Sequence, residues 1–258
     1  MATVGILGIG GLAGLLMRGL AGSGHRFVLS PRNAAQAAAL AREFGAEVAQ
    51  TNQDVVDQAE AVLVCLPAAT GADELSCLRF RASQTVLSAM AGTGLDRLRH
   101  VVAPAQGFVT MMPGYANAYG VGPSILYPDD AFWRDFLGHI GPVHAFADET
   151  TFTAAATFGA FSGATVGFMA QVIRWFTAQG LAPETARALV AGTLRGNAEV
   201  LLQEPRPLDD IAKGVTTPGG ITLQFLDILR QRGALDAWDE ALDAVHHRIG
   251  EKPDETGR

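Results

Sequence analysis

The segment Val215–Thr222 brings together residue types that can hold a small anion. It reads Val-Thr-Thr-Pro-Gly-Gly-Ile-Thr and leads into an apolar helical pattern. A helix N-terminus presents backbone N–H groups without partners and the positive end of the helix dipole. Gly219 and Gly220 let the backbone approach a ligand closely. The hydroxyls of Thr217 and Thr222 can then hydrogen-bond it. The pattern predicts either a seat for a small carboxylate or an ordinary capped turn.

A second motif, Gly8–Ala13, has the form Gly-x-Gly-x-x-Ala between a predicted strand and a predicted helix. In that context the pattern indicates dinucleotide binding. Gly8 allows the tight turn, Gly10 lets the backbone reach the pyrophosphate, and Ala13 packs the helix on the strand. We expect the whole motif to contact the cofactor: Gly8, Gly10, Gly11, Leu12 and Ala13.

The end of the second predicted strand bears on the choice of nucleotide. An acidic residue there would bind a ribose 2′-hydroxyl and favour NAD. This chain instead has Ser30-Pro31-Arg32-Asn33, whose hydroxyl, guanidinium and amide suit a 2′-phosphate. We therefore predict that Ser30 and Arg32 bind NADPH (NADP) in preference to NADH. In the alternative interpretation, Arg32 stacks on the adenine.

The two halves of the chain differ in pattern, and the change comes near residue 150. Strand-like and helix-like segments alternate before it, which is typical of a parallel sheet covered by helices. Only helical patterns follow. The predicted strands are Val4–Leu7, Arg26–Leu29, Ala61–Leu66, Gln84–Ser88, Phe108–Met112, Ser124–Tyr127 and Val143–Phe146. The main predicted helices are 12–21, 33–44, 149–177, 183–203, 221–232 and 235–249.

Composition narrows the class of protein. The 258 residues carry a net charge of −7 and no basic block, which argues against nucleic acid and anionic membrane as partners. Cys65 and Cys77 have no metal-ligand or redox spacing, so we predict ordinary buried or half-buried thiols in a reducing compartment, the cytoplasm. The six histidines are predicted to be surface or packing residues, and no His/Cys/Asp cluster predicts a metal.

The segment Thr150–Ile173 contains no charged residue. Its length would suit a membrane span, but Thr, Ser, Gly and Ala dominate it, so its hydrophobicity is weak. Gly159, Gly163 and Gly167 are four residues apart and share one helix face, which lets another helix approach closely. We predict a homodimer interface, with a higher ring of dimers left open. The alternative is close packing inside one chain.

These motifs resemble the pyrroline-5-carboxylate reductase family, and the likeness extends over nearly the whole chain. The most specific similarity is Thr217-Pro218-Gly219-Gly220-x-Thr222, which is similar to the family's Val-Thr-Ser-Pro-Gly-Gly-x-Thr near its C-terminus. Further similarities are Gly8–Ala13 to Gly-x-Gly-x-Met-Ala, Ser88–Gly92 to Ser-Ile-Ala-Ala-Gly, Met111–Pro113 to Val-Met-Pro, and Ser162-Gly163 to half of Ser-Gly-Ser-Gly.

The resemblance implies a fold, a reaction and roles for particular residues. It implies an α/β fold with a Rossmann-type, doubly wound, mainly parallel sheet over 1–150 that binds NADPH. An all-α helical domain for dimerisation and substrate binding would occupy 151–258. The implied reaction reduces 1-pyrroline-5-carboxylate to proline, with Thr222 hydrogen-bonded to the ring nitrogen. The substrate contacts would be Thr217, Gly219, Gly220 and Ser162, and further cofactor contacts Leu66, Pro67 and Ala91.

Four positions depart from the family pattern. Gly114 stands for an asparagine, Leu66 for a lysine, Ala160 for a serine and Ala164 for a proline. A divergent member that reduces a related cyclic imine is therefore one alternative. A dehydrogenase of a small hydroxy or keto acid, in which Lys213 could serve, is another, because such reactions usually need a firm proton donor. A non-catalytic NADPH-binding dimer is a third.

Overall fold

The computed structural model describes residues 1–250, which form two compact units. The first comprises Met1–Gly159 together with the segment that begins at His246, and the second is Ala160–Val245. The sequence places its domain boundary at residue 150, close to the start of the first helix of the helical half. Residues 251–258, the end of the predicted helical domain, lie outside the described residues.

An eight-stranded sheet forms the centre of the first unit. Its spatial order is β3-β2-β1-β4-β5-β6-β7-β8, and every neighbouring pair is parallel except β6 with β7. The predicted Rossmann-type, mainly parallel sheet is therefore confirmed. The strands are β1 (Thr3–Leu7), β2 (Arg26–Leu29), β3 (Glu47–Val48), β4 (Ala61–Val64), β5 (Thr85–Ser88), β6 (Gln106–Met111), β7 (Ser124–Tyr127) and β8 (Val143–Ala145).

Helices cover both faces of this sheet. Successive residues of a strand point to opposite faces. In β4, Leu63 accordingly belongs to one buried cluster, while Val62 and Val64 belong to the other. Trp133 and Phe136 fill the first cluster and are fully buried. The helices of this part are α1 (Gly11–Gly19), α2 (Ala34–Phe44), α3 (Asn52–Gln58), α4 (Ala68–Ser76), α5 (Leu95–Val102), α6 (Ala131–Gly138) and α7 (Glu149–Ala156).

The remaining helices carry few buried side chains. They are α8 (Phe158–Ala178), α9 (Pro183–Gln203), α10 (Leu208–Gly214), α11 (Ile221–Gln231) and α12 (Asp236–Gly250). Within residues 1–250, α8, α10, α11 and α12 bury none, and α9 buries only Ala186 and Val190. The helical stretch Glu149–Ala178 is long and apolar enough, by length and composition, to cross a membrane.

The predicted single helix over 149–177 is wrong in one respect, because it divides at Thr157 into α7 and α8. The Thr157 hydroxyl donates to the carbonyl of Ala154 at 2.8 Å. Such local side-chain bonds compete with the helical backbone ladder. A run of Ala, Thr and Gly has too little periodicity to reveal a break of this kind from sequence.

Candidate functional site

The carboxyl ends of β1, β2 and β4 meet at one edge of the sheet. The register aligns Ile6 with Leu29 and Leu7 with Val64, so the residues that follow these strands are neighbours. The ladder continues one residue further, because Ser30 N–H bonds the Ile6 carbonyl at 3.0 Å and Cys65 N–H bonds that of Leu7 at 2.7 Å. Open α/β sheets bind ligands outside this edge.

The loop that opens the Gly8–Ala13 motif, called the fingerprint turn below, contains two glycines with different physical roles. Gly8 has φ +91°, and a Cβ there would lie 2.6 Å from the backbone of Cys65, so only glycine suits this turn. Gly10 has an extended φ of −118°. Across the described part of the chain, no heavy atom beyond its chain neighbours lies within 4 Å of a Cβ built on Gly10. Its missing side chain thus leaves open space at the mouth of α1.

Polar side chains from the end of β2 brace this loop. Ser30 is only 2% exposed, and its hydroxyl accepts a hydrogen bond from Gly8 N–H at 3.0 Å. Asn33 donates through Nδ2 to the Ile9 carbonyl at 3.1 Å. Ser30 therefore fixes the position of the fingerprint turn, a role that the sequence pattern did not indicate.

A cavity of about 400 Å³ opens beside the fingerprint turn, a size within the range of small-molecule sites. Six of the predicted cofactor residues line it: Gly8, Gly10, Ser30, Arg32, Leu66 and Pro67. Gly11, Leu12 and Ala13 continue from it as the first turn of α1, where Ala13 is fully buried. Ala91 is exposed beyond the end of β5 and is not among the lining residues.

Arg32 meets an acidic partner that sequence reasoning missed. Its Nη1 lies 2.7 Å from Oε1 of Glu74, which lines the same cavity from α4. The Thr70 hydroxyl donates to the same carboxylate oxygen at 3.2 Å. Glu74 is 42 residues from Arg32 in the chain, so no local pattern indicated the pair.

Cys65 also lines the cavity. Burial raises the pKa of the Cys65 thiol to about 12, so it stays protonated at neutral pH, whereas the thiolate is the nucleophile. The prediction that both cysteines are at least half-buried is wrong for Cys77. That residue is exposed at the end of α4, where its thiol donates a hydrogen bond to the Asp73 carbonyl at 3.5 Å.

The Thr-Pro-Gly-Gly segment of the second unit forms a tight turn. Gly220 N–H bonds the Thr217 carbonyl at 2.9 Å, and Gly219 has φ +72°. Pro218 before this glycine gives the segment the features of a type II turn. A Cβ at Gly220 would overlap the Thr217 hydroxyl. The turn therefore favours glycine at position 219 for its backbone conformation, and at position 220 for the space beside Thr217.

The turn leads directly into α11, and its N-cap residue provides no side-chain hydrogen bond to the first turn of the helix. Gly220 is the N-cap residue of α11 and makes no side-chain cap hydrogen bond. The first helical backbone bond is Gln224 N–H to the Gly220 carbonyl. The N–H groups of residues 221–223 precede that bond, and such groups attract anions. Thr217 and Thr222 are exposed beside them.

The remaining predicted residues belong neither to the cavity lining nor to the Thr217–Gly220 turn. Ser162 is half-buried near the start of α8, where Ala160 and Ala164 are exposed. Lys213 is 80% exposed and lies 3.7 Å from the Asp210 carboxylate, which does not mark it as a proton donor.

The departure at Gly114 preserves the backbone of its loop. Gly114 has φ +79°, a conformation that glycine and asparagine share most readily. Its N–H donates at 2.9 Å to Oδ1 of the fully buried Asn117. Asn117 also donates to the Gly122 carbonyl at 2.8 Å. Asn117 thus holds the loop, while a Cβ at position 114 would lie 3.2 Å from the side chain of Leu12.

One histidine grouping was not evident from the sequence. Ligand atoms of His25, Asp135 and His139 lie within 4.8 Å of one another, although His25 is far from the other two along the chain. Ala2 N–H donates to His25 Nδ1 at 3.3 Å, and the His25 ring packs against Phe136 at a centroid distance of 5.4 Å. The packing role predicted for His25 is therefore confirmed.

Together, the strand order, the fingerprint turn and the cavity define a Rossmann-type dinucleotide-binding protein with an added helical unit. Comparison with known proteins narrows this class. Residues 149–252 match a family model described as pyrroline-5-carboxylate reductase dimerisation. Residues 3–92 match one described as NADP oxidoreductase, coenzyme F420-dependent.

Full-length relatives agree with both matches. Pyrroline-5-carboxylate reductase 2 of Bacillus subtilis is 20% identical over 97% of this chain and 95% of its own. The Streptococcus pyogenes enzyme structure has a TM-score of 0.85 at 22% identity, covering 96% of this chain and 98% of that one. The Plasmodium falciparum reductase, solved with NADP bound, has a TM-score of 0.85 at 17% identity, covering 96% and 97%. The two domain matches and these relatives together support membership of the chain in the pyrroline-5-carboxylate reductase family.

Proposed function

We propose that the protein reduces a small cyclic imine carboxylate, 1-pyrroline-5-carboxylate, to proline with NADPH. The observation that carries the proposal is the Thr217–Gly220 turn, which delivers the uncapped start of α11 with Thr217 and Thr222 exposed beside it. The similarity to pyrroline-5-carboxylate reductases, which extends over 97% of this chain in the Bacillus subtilis relative, supports the same assignment.

The cofactor side of the proposal uses the residues around the fingerprint turn. The open space at Gly10 suits the close approach of a pyrophosphate to the backbone. Arg32 supplies the guanidinium that a 2′-phosphate requires, and Leu66 and Pro67 form apolar wall at the end of β4. The bound nucleotide supplies a hydride from nicotinamide C4.

The substrate side needs alignment more than acid–base machinery. A protonated C=N bond is already electrophilic, so correct placement removes much of the barrier. The π bond breaks as the imine carbon accepts the hydride, and the nitrogen retains its proton as it becomes an amine. We assign the carboxylate to the free N–H groups of α11 and Thr217. We assign to Thr222 the hydrogen bond to the ring nitrogen.

The assembly that we propose is a homodimer built through the helical unit. A Cβ at Gly163 or Gly167 would meet no heavy atom within 4 Å among residues 1–250, which counts against close packing of these two glycines inside one chain. A Cβ at Gly159, by contrast, would lie 3.1 Å from Met111 Sδ of the same chain. Trp175, Ile221 and Phe225 are 59%, 86% and 59% exposed. Exposed apolar surface of this extent marks an interaction site. A second copy, rather than a lipid bilayer, is the occupant that we propose, and the compartment is the cytoplasm.

The experiment is NADPH oxidation followed by absorbance, with 1-pyrroline-5-carboxylate and its six-membered homologue offered in parallel. Turnover of the five-membered ring supports the proposal. Turnover of the larger ring alone identifies a divergent imine reductase. If neither ring supports NADPH oxidation while NADPH still binds, the proposal is overturned. The protein would then be a non-catalytic NADPH-binding dimer or a dehydrogenase of a hydroxy or keto acid.

A further inference from the structure

The ion pair between Arg32 and Glu74 stands where the nucleotide preference is decided. The two groups meet at 2.7 Å on the wall of the cofactor cavity. The Glu74 side chain is only 23% exposed, while that of Arg32 is 64% exposed. Thr70 also donates a hydrogen bond to the Glu74 carboxylate, which helps to hold the acid in place, while the more exposed guanidinium is open to a ligand.

A ribose 2′-phosphate and Glu74 require the same guanidinium. A phosphate ester carries close to two negative charges at neutral pH and would use Arg32 as its charge-assisted donor. Arg32 can serve it fully only by leaving Glu74. The unpaired carboxylate would then lie beside the phosphate, and like charges repel. A ribose 2′-hydroxyl has no such conflict, because it donates to a carboxylate, as in NAD recognition.

We propose that Glu74 is a specificity-determining residue that competes with the 2′-phosphate for Arg32 and so narrows the preference for NADPH over NADH. The inference rests on the proposed cofactor use and deepens it. In many Rossmann folds the acid that favours NAD ends the second strand. Here β2 is followed by Ser30 instead, and the acid that lines the cavity comes from α4.

The test compares two substitutions with the same charge change on the same helix. E74Q removes the competing charge but keeps an oxygen that can accept from Thr70. D73N is the matched control, because Asp73 lies 3.6 Å from Arg97 and is not among the residues that line the cavity. The probes are NADPH, NADH, and the fragments 2′,5′-ADP and ADP, titrated by calorimetry against the full chain.

We expect E74Q to tighten 2′,5′-ADP and NADPH by about three- to tenfold, with ADP and NADH changed by less than about twofold. D73N should leave the ratio of 2′,5′-ADP to ADP affinity unchanged. A weaker 2′,5′-ADP affinity in E74Q would overturn the proposal, because Glu74 would then position Arg32 for the phosphate. Equal effects of E74Q and D73N, or no effect of E74Q, would also overturn it.

The fragments separate this proposal from the proposed reaction. They report the nucleotide site without an imine, so the expected E74Q shift in a protein that reduces neither imine supports the role of Glu74 while the reaction proposal fails. Conversely, imine reduction with an unchanged fragment ratio in E74Q overturns only the role of Glu74.

Discussion

A single copy of the chain buries the large apolar side chains of its cofactor-binding half, but leaves several of those in its helical half exposed. In the first half, large side chains such as Trp133, Phe136 and Leu63 are fully buried between sheet and helices. In the second, Trp175 and Phe225 remain more than half exposed. One chain therefore forms the cavity beside its own fingerprint turn, whereas its helical unit leaves large apolar side chains exposed, as the proposed homodimer requires.

The largest expected effect separates folding from cofactor binding at the fingerprint turn. Gly10→Val should fold normally, because the site is open and φ is extended. It should weaken NADPH binding by on the order of 100-fold or more, since the side chain fills the approach to the pyrophosphate. Thermal unfolding and NADPH titration measure the two effects.

Gly8→Ala provides the contrast, because its Cβ would overlap the Cys65 backbone at φ +91°. We expect a clear fall in the midpoint of thermal unfolding for Gly8→Ala and little change for Gly10→Val. If Gly10→Val kept its NADPH affinity, the assignment of this open space to the cofactor would be wrong.

The next effect falls in the helical half. Thr222→Val should lower kcat by about 100-fold, the usual loss when one positioned donor is removed, and leave the NADPH dissociation constant unchanged. Thr216→Val is the matched control, since the Thr216 hydroxyl already donates to the Ala212 carbonyl at 2.8 Å. Steady-state kinetics and cofactor titration check both. Equal loss of catalysis and NADPH binding in Thr222→Val would remove its proposed role.

A smaller effect tests whether a second copy covers the helical half. Gly163→Leu places a bulky side chain where the single chain has open space. We expect it to weaken dimerisation by about tenfold or more through overpacking, as measured by analytical ultracentrifugation over a concentration series. Gly138→Leu, at another open helical glycine in the cofactor half, should leave the mass unchanged. An unchanged dimer affinity in Gly163→Leu would contradict the interface.

The smallest effect concerns the two thiols. At pH 8, iodoacetamide should label only the exposed Cys77 in the folded protein, because a Cys65 pKa of about 12 leaves on the order of one thiol in 10,000 ionised. Unfolding should expose both, and Cys77→Ser should abolish native labelling. Mass spectrometry counts the labels. Rapid native labelling of Cys65 would show that the cofactor wall is open.

The same pKa fixes the sign of an alkaline effect on stability. The ordinary pKa of the thiol is 9.0, and burial raises the pKa of Cys65 in the folded state. Between pH 9 and about 12 the unfolded chain therefore holds fewer protons at this site, and stability falls as the pH rises. Well below pH 9 the thiol is protonated in both states and contributes no pH dependence.

The elements that could be predicted from the sequence carry strong local signals. The strands Arg26–Leu29 and Ser124–Tyr127 and the helix Pro183–Gln203 have the predicted bounds. β3 was missed because it is two residues long and exposed, so hydrophobic periodicity cannot reveal it. The helix α3 was not predicted either, although the capping box of Thr51 and Asp54 marks its N-terminus in the sequence.

The candidate site was predictable only where function depends on short motifs. The turn at Gly8 and the start of α11 follow from glycine spacing and flanking patterns. The pairing of Glu74 with Arg32 and the bracing of Gly114 by Asn117 depend on packing, and in the case of Glu74 on contacts between distant segments. The first pair therefore has no local pattern, and the second spans only three residues but depends on the burial of Asn117.

The most direct measurement follows the hydride itself. NADPH carrying deuterium at nicotinamide C4, prepared in each of the two C4 configurations, is incubated with the protein and 1-pyrroline-5-carboxylate, and the product is examined by mass spectrometry and NMR. The account predicts proline with one deuterium at C5 from one of the two configurations. Proline without deuterium from both, or bound NADPH with no proline formed, would contradict it.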